Sequence, residues 1–365
     1  MGFVHGVLNT DNMSIMGLTM DYGPFAFEEH FDPDFTPNGS DGGGRYTYAL
    51  QPSMCKWNLK KLSEQLAPLL PISHSTEILH TTWEASYEET YSSLMHKKFG
   101  LTTIQTGDEE LIAEYFKALA TTRTDFTDSF RALTDYTAGL TDEEKLLENL
   151  VSRAASPTET IAMMRRKMKI HRLGMQPGQI QQLWDMILKN PAEVSDMFGG
   201  APIEAIKAEI EGEKRNLDRQ SQAARDINAL SEMSPLQKVN EDRAVWSVWL
   251  AKYHKRISLD GSSIEDKNKR IQGMREINPT FVLRNWIAQD AIDAAEKGSY
   301  EEVEIKYLFS AILQSMTSKP ICIFRPPTKH SHFNSPSAAD NTITPTFPQY
   351  TLGQCHHVYA TNTFR

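Results

Sequence analysis

Apolar residues at helical spacing limit how this chain can fold more than any other feature. Two stripes, each predicted to face a core, are Leu59, Leu62, Leu66, Leu69 and Leu70, and Leu111, Ile112, Tyr115, Phe116 and Leu119. A third segment, from about Glu241 to Arg256, carries Trp246, Trp249 and Leu250 and is too apolar to be exposed all round. It should therefore pack centrally. We expect a mainly α chain beyond about residue 54.

Capping sequences predict where some of these helices begin. Ser156 and Glu159 have the spacing of a capping box, and the intervening Pro157 fits the first helical position. Thr141 with Glu144 predicts a second box. Gly174 should end the helix that begins at Pro157, because glycine accepts the left-handed conformation of a C-terminal cap.

Two later segments are also predicted to be helical. The mixed charges from Glu204 to Arg225 predict an exposed helix with intrahelical ion pairs. Leu283, Ile287, Ala291 and Ala295 predict a buried stripe on another helix, in which Asn285 and Gln289 would make hydrogen bonds in the core. From about Thr317 the composition shifts to Pro, Ser, Thr, His and Asn without a period.

The first 25 residues have a different character, because several oxygen-bearing side chains follow one another at close spacing. They include Asp11, Asn12 and Asp21. The segment between the two acids is apolar with polar interruptions. It predicts a short buried hairpin with Gly17 at the turn, which would bring Asp11 and Asp21 together. Gly23 and Pro24 should end the second strand.

This N-terminal segment fits the protein-kinase signature H-R-D-L-x-x-x-N, followed by D-F-G, with one break. His5 falls on the His, Asn12 on the metal-binding Asn, and Asp21 begins the D-F-G equivalent. Val7 occupies the position of the catalytic Asp. The chain thus keeps the groups that hold a metal and nucleotide but lacks the usual kinase base. This argues against ordinary phosphoryl transfer.

The chemistry of metal-bound triphosphates explains why these residue types are needed. Mg²⁺ takes oxygen ligands, commonly one or two carboxylates together with phosphates and water. Asp21 offers a carboxylate and Asn12 an amide oxygen, the pair that a kinase supplies. Asp11 is the candidate proton acceptor for a substrate hydroxyl. Either acidic triplet alone is equally typical of a turn, but both together at this spacing predict a site.

The run from Gly2 to Phe25 resembles the selenoprotein O family of pseudokinase-fold protein adenylyltransferases. Further matches extend the resemblance over roughly residues 2–315: Asp32-Pro33-Asp34, Gly44-Arg45-Tyr46, Gln51-Pro52, Trp57-Asn58-Leu59, Asp125-Phe126-Thr127 and Asn278 to Ala288. The resemblance implies a mainly α fold: a protein-kinase-like C-lobe with a short β hairpin at its N-terminus and a family-specific helical extension. Because the sequence starts immediately before the metal loop, we expect the N-lobe to be absent.

The domain organisation follows from this resemblance and from the change in composition. We expect residues 1–316 to form the C-lobe with its helical extension. Residues 317–365 should form an irregular, disordered tail.

The resemblance also implies an activity, which is transfer of AMP from ATP to Ser, Thr or Tyr hydroxyls of protein substrates. Asp11 would be the catalytic proton acceptor, Asn12 and Asp21 would bind Mg²⁺, and Asp21 would also face the nucleotide. ATP and protein substrates are the implied partners, and relatives imply a mitochondrial location. The alternative is a catalytically inactive, truncated pseudokinase C-lobe that acts as a protein-binding module.

Composition excludes several other classes of function. No apolar run is long enough to span a membrane, and no secretory signal is visible. The net charge of −9 argues against nucleic-acid binding. Three cysteines without paired spacing predict neither a disulfide framework nor a zinc site. We therefore expect neither nucleic acid nor membrane as a partner.

Overall fold

The computed structural model describes residues 2–301 apart from Ile15, Gly17, Gly42, residues 169–176 and Ser262. Within this part the chain is mainly helical, as predicted. Two short strands, β1 (Phe3–Val4) and β2 (Ala26–Phe27), pair antiparallel, with Phe3 opposite Phe27 and Val4 opposite Ala26. The expected end of the helix from Pro157 at Gly174 lies outside the described residues.

The α-helices follow β2 in chain order. They are α1 (Gln51–Gln65), α2 (Ile72–Ile78), α3 (Glu84–Phe99), α4 (Asp108–Thr122), α5 (Phe126–Thr137), α6 (Glu143–Ser152), α7 (Pro157–Met168), α8 (Pro177–Lys189), α9 (Pro191–Met197), α10 (Ile203–Glu232), α11 (Pro235–Ile257), α12 (Ile264–Ile277) and α13 (Asn285–Glu296). A π-helical turn, Leu79–Trp83, joins α2 to α3 without a break. Within the described ranges, no helix is both long and apolar enough to cross a membrane.

The described residues divide into two compact units. The first contains residues 2–8 and Tyr22–Val282, and the second contains Asn9–Asp21 and residues 283–301. The expected tail, residues 317–365, lies outside the described part of the chain. The domain boundary at residue 316 therefore stays a prediction.

The main core of the first unit is built on α11, which the sequence predicted to pack centrally. Trp246 and Trp249 are buried against aromatic residues from α3, α4 and α5. The ring of Tyr115 lies 4.7 Å from that of Trp249 and 4.9 Å from that of Phe130, centroid to centroid. Trp249 Nε1 donates to the Leu111 carbonyl at 2.9 Å, so the indole is buried without losing its hydrogen bond.

The two predicted leucine-rich stripes have different outcomes. Leu111, Ile112, Tyr115 and Leu119 are buried as expected, with Phe116 packed beside them. The prediction that the leucines of the first stripe face a core was wrong, because Leu66 is 39% exposed and Leu69 is 87% exposed. Helix α1 ends at Gln65 and instead buries Cys55 and Asn58. Asn58 faces inward because its Nδ2 donates to the Leu8 carbonyl at 3.2 Å.

A second apolar cluster joins α8, α9 and α10. It is formed by Ile180, Leu183, Ile187, Val194, Ile206 and Ile210. The predicted helix over 204–225 is present, and Glu204 pairs with Lys207 at 3.0 Å on its surface. The prediction that this helix is exposed was wrong on one face, because Ile206 and Ile210 are buried there.

Helix starts confirm one capping box and correct the other. At α7, Ser156 Oγ accepts from the Glu159 N–H at 3.2 Å, and the Glu159 carboxylate accepts from the Ser156 N–H at 2.8 Å. At α6 the cap is Asp142 rather than Thr141, since the Asp142 carboxylate accepts from the Lys145 N–H at 2.8 Å. Because α6 begins at Glu143, Asp142 occupies the N-cap position, one residue later than the Thr141–Glu144 box requires.

Helix α13 is less buried than predicted. Ile287, Ala291 and Ala295 are half-buried, and none of its residues is fully buried. Asn285 and Gln289 are exposed, and Gln289 donates to Asp293 at 2.6 Å along the helix surface. The expected core hydrogen bonds of these two amides were therefore wrong.

Candidate metal and nucleotide site

The segment between β1 and β2 in the sequence forms the hairpin that the sequence predicts. Met13 and Thr19 pair antiparallel, and the Ser14 N–H donates to the Leu18 carbonyl at 2.9 Å. Ser14 Oγ also accepts from the N–H groups of Met16 and Leu18, both at 3.2 Å, and so closes the turn. The hairpin is not buried as predicted, because Met16, Leu18 and Met20 are exposed.

Backbone pairing in this hairpin places the three predicted site residues at its open end. Thr10–Asn12 form a 3₁₀ turn, and the Met20 N–H donates to the Asn12 carbonyl at 3.0 Å. Asp21 follows the residue that pairs with Asn12, so Asp11, Asn12 and Asp21 lie at the same end. Asn12 is 4% exposed, whereas both carboxylates are exposed.

Asp21 has an unusual backbone conformation. Its φ is +57°, and Arg123 is the only other non-glycine residue in the described ranges with a positive φ. This left-handed region costs an L-residue roughly 1–2 kcal/mol, although Asp and Asn tolerate it best. Such conformations cluster at functional sites, where the surrounding structure compensates for the strain. No sequence pattern indicates this conformation.

The donor set is too small for a metal site made of protein groups alone. Among the residues that the structure describes, no group of three or more His, Cys, Asp or Glu side chains could hold an ion. Asn12 and Asp21 nevertheless provide two oxygen donors. This number fits Mg²⁺, which usually keeps waters and shares its remaining ligands with substrate phosphates.

His5 lies in an aromatic cluster rather than in a polar site. It is 1% exposed, and its Nδ1 accepts from the Val7 N–H at 3.3 Å. Its ring lies 5.4 Å from the Tyr22 ring and 6.4 Å from the Phe3 ring, centroid to centroid. The histidine that completes the kinase-like signature is thus a packed residue in this structure.

Three side-chain amides bind the backbone of residues 3–8, a feature that the sequence reasoning missed. Gln51 Oε1 accepts from the His5 N–H at 3.0 Å, and Gln51 Nε2 donates to the Phe3 carbonyl at 2.9 Å. Asn38 and Asn58 donate to the carbonyls of Gly6 and Leu8 at 3.1 Å and 3.2 Å. Gln51 and Asn58 lie within motifs that matched the family, but nothing in their spacing indicates these partners.

Gly6 shows how closely this segment is enclosed. Its φ is +79°, and a Cβ at this position would lie 2.8 Å from the Pro24 carbonyl oxygen and 3.0 Å from Pro37. Any side chain here would therefore collide with backbone and also strain φ. This close approach requires glycine at position 6, where the kinase signature has Arg.

The described part of the chain is mainly helical, and its hairpin presents two carboxylates and an amide at one end. Comparison with known proteins makes the assignment specific. The chain belongs to the SelO family, described as "Protein adenylyltransferase SelO", whose family model matches residues 1–312.

Curated relatives agree with this assignment. The chain is 36% identical over 307 residues to "Protein adenylyltransferase SelO, mitochondrial" of Mus musculus, covering 83% of this chain and 43% of the relative. It is 36% identical over 312 residues to "Protein adenylyltransferase SelO-1, mitochondrial" of Danio rerio, covering 83% and 42%. It is 35% identical over 309 residues to "Protein adenylyltransferase SelO, mitochondrial" of Homo sapiens, covering 83% of this chain and 43% of the relative. The chain thus spans less than half the length of these relatives.

Proposed function

We propose that this chain carries the metal-binding part of a protein adenylyltransferase that transfers AMP from ATP to Ser, Thr or Tyr hydroxyls of protein substrates. Membership of the SelO family supports the reaction class. The observation that carries the assignment to residues is the hydrogen bond from the Met20 N–H to the Asn12 carbonyl, which brings Asp21 beside the Asp11–Asn12 turn. We assign the helical part of the chain to a kinase-like C-lobe.

Each of the three residues has a distinct role in this proposal. Asn12 and Asp21 hold Mg²⁺ through their side-chain oxygens, and Asp21 also faces the nucleotide. When bound, the cation neutralises the charge of the phosphates. Asp11 accepts the proton of the substrate hydroxyl, which suits an exposed carboxylate that a protein substrate can reach.

The reaction balances with these groups. The hydroxyl oxygen forms a bond to the α-phosphorus of ATP, and the bond from that phosphorus to the pyrophosphate oxygen breaks. The hydroxyl proton moves to Asp11, and pyrophosphate leaves with the electron pair. Val7, at the position of the kinase base, cannot accept a proton. The proposal therefore differs from a kinase both in the phosphorus attacked and in the base.

Labelled ATP tests the reaction class. Protein substrate incubated with Mg²⁺ and the chain should gain label from the α-phosphate of ATP and none from the γ-phosphate. Label from the γ-phosphate would mean kinase chemistry. Label from neither position would favour the binding module that the sequence left as the alternative.

Asp21→Ala tests the metal assignment. We expect this variant to weaken Mn²⁺ binding, measured by electron paramagnetic resonance, by at least about tenfold and to abolish transfer, because a charged ligand is lost. Asp218→Ala removes an exposed carboxylate from α10 and should change neither quantity. Unaltered Mn²⁺ affinity in Asp21→Ala would contradict the assignment.

Asp11→Asn separates the base from the metal site. It should lower transfer roughly 10²- to 10⁴-fold, the usual contribution of a general base, while Mn²⁺ affinity stays within about twofold. A parallel loss of metal affinity would make Asp11 a ligand instead.

The names of the relatives also support a mitochondrial location, which imaging of the tagged full-length protein would test.

A further inference from the structure

Arg45 is held against the indole of Trp57 by the loop that precedes α1. Its guanidinium carbon lies 4.3 Å from the Trp57 ring centre and 5.7 Å from that of Tyr46. The buried carboxylate of Asp41 fixes the backbone at this point. It accepts from the Arg45 N–H at 2.9 Å and from the Tyr46 N–H at 2.8 Å. Asp41 therefore anchors the backbone that carries the Arg45 side chain.

The guanidinium of Arg45 has no acceptor in the described part of the chain. Its Nε is enclosed and makes no hydrogen bond. Two other arginines with little exposure do have carboxylate partners, since Arg256 pairs with Asp108 and Asp260, and Arg123 with Asp32. A half-buried guanidinium normally recovers its lost hydration through such a partner.

A second cation lies against the same ring. Lys61 Nζ is 5.5 Å from the Trp57 ring centre, and its charge is offset by Glu64 at 2.7 Å. The carboxylate of Asp41 is occupied by backbone N–H groups and does not pair with the guanidinium. Arg45 is thus a locally uncompensated positive charge on a chain whose net charge is −9.

We propose that Arg45 and Trp57 form a docking site for an acidic segment of a protein partner. A carboxylate of the partner accepts from the terminal N–H groups of the guanidinium, which already covers the Trp57 ring. Arg, Trp and Tyr are the residue types that dominate protein–protein hot spots, which favours a protein over a free anion. The planar fork of arginine matches a carboxylate better than a lysine does.

Fluorescence anisotropy with the full chain tests the site. The probe is a fluorescein-labelled peptide of alternating Glu and Ala, compared with the same peptide carrying Gln for Glu. We expect the Glu peptide to bind at least about tenfold more tightly, with an affinity that falls as salt rises. No binding of the Glu peptide by the parent chain, or equal binding of both peptides, overturns the proposal.

Variants assign the binding to Arg45. Arg45→Gln should weaken the Glu peptide roughly tenfold, because a charge-assisted hydrogen bond is lost. Arg165→Gln, which removes an exposed positive charge from α7, should leave affinity within about twofold. Arg45→Lys keeps the positive charge but lacks the forked guanidinium, so its affinity for the Glu peptide should lie between those of the parent and Arg45→Gln. This second variant tests the site even if Arg45→Gln folds poorly. Equal affinity in the parent and both Arg45 variants would overturn the proposal.

Binding of inorganic phosphate, measured in the same way, distinguishes a carboxylate of a protein partner from a free phosphate as the ligand. If phosphate binds more tightly than the Glu peptide and Arg45→Gln abolishes that binding, the site takes a free phosphate and the protein partner is wrong. Weak competition by millimolar phosphate, with the Glu peptide preferred, supports the proposal.

Discussion

At the scale of single residues, Gln51 takes the place of a neighbouring strand. One edge of the β1 region pairs with the β2 side, where the Glu28 N–H donates to the Gly2 carbonyl at 2.8 Å. On the other edge, the Gln51 amide both accepts from the His5 N–H and donates to the Phe3 carbonyl. One side chain thus reproduces the donor and acceptor of a backbone peptide.

Gln51→Ala should therefore be destabilising. It leaves one backbone N–H and one carbonyl without their partner, so we expect the free energy of unfolding to fall by about 1–3 kcal/mol. Urea unfolding followed by circular dichroism measures the change. Gln65→Ala, at the exposed end of the same helix, is the matched control and should stay within about 0.5 kcal/mol. Equal stability of the two variants would contradict the role assigned to Gln51.

At the scale of elements, the start of α6 offers a direct test of which residue caps the helix. Asp142→Ala removes the carboxylate that accepts from Lys145 and should cost about 1 kcal/mol of unfolding free energy. Thr141→Val should cost much less, because Thr141 Oγ1 is enclosed without a hydrogen-bond partner. Thermal unfolding of both variants decides between them. A larger loss in Thr141→Val would restore the capping box that the sequence predicted.

Features that depend on a local sequence pattern were predictable. Apolar spacing predicts the buried stripe around Tyr115 and the central position of α11, and the Ser156–Glu159 spacing predicts the capping box. Helix α1 did not, because its inward face is chosen by a hydrogen bond from Asn58 to Leu8, a residue far away in sequence. The start of α11 was placed late for a different reason: Ser234 and Pro235 form an ordinary helix start that the apolar pattern alone does not register.

The candidate site was predicted to a similar extent. Signature spacing picked out Asp11, Asn12 and Asp21, and a hairpin pairs Met13 with Thr19 between them, exposed rather than buried as predicted. The predicted turn residue, Gly17, lies outside the described residues. The roles of these residues stay proposals. Neither the left-handed backbone of Asp21 nor the amide contacts of Gln51 could be predicted, because both depend on the folded backbone rather than on residue type.

At the scale of the whole molecule, a buried ion network joins α4, α11 and α12. Arg256 donates to Asp108 and Asp260 at 3.0 Å each, and Arg270 lies 3.8 Å from Asp260. Burial alone would raise the pKa of Asp108 and of Asp260. Hydrogen bonds, from Arg256 to both and from Thr103 to Asp260, outweigh burial and leave each pKa below its ordinary value.

This network should make stability depend on pH in the acid range. As pH falls below about 4, these two carboxylates become protonated in the unfolded chain but stay ionised in the folded chain. The free energy of unfolding therefore decreases. Asp242 opposes this trend, because burial raises its pKa despite the nearby Lys238. Urea unfolding between pH 7 and pH 3 measures the net change in the free energy of unfolding that these opposing contributions produce.

Asp108→Asn isolates the contribution of the network. The variant should be less stable than the parent at pH 7, and the difference should narrow as the pH approaches 3. Asp218→Asn, an exposed control, should follow the parent throughout. A difference that stays constant with pH would show that the Asp108 carboxyl titrates alike in both states.

The π-helical turn at Leu79–Trp83 has a consequence for which lengths of this chain are tolerated. A π turn holds one residue more than the α-helix around it. Removing one residue of that turn would leave an uninterrupted α-helix from Ile72 towards Phe99 in which α2 and α3 keep their present faces. Single-residue deletions here should therefore preserve both helix content and the side of α2 that faces the protein, whereas a deletion within α11 would rotate one part of that helix by about 100° against the other and displace its tryptophans from the core.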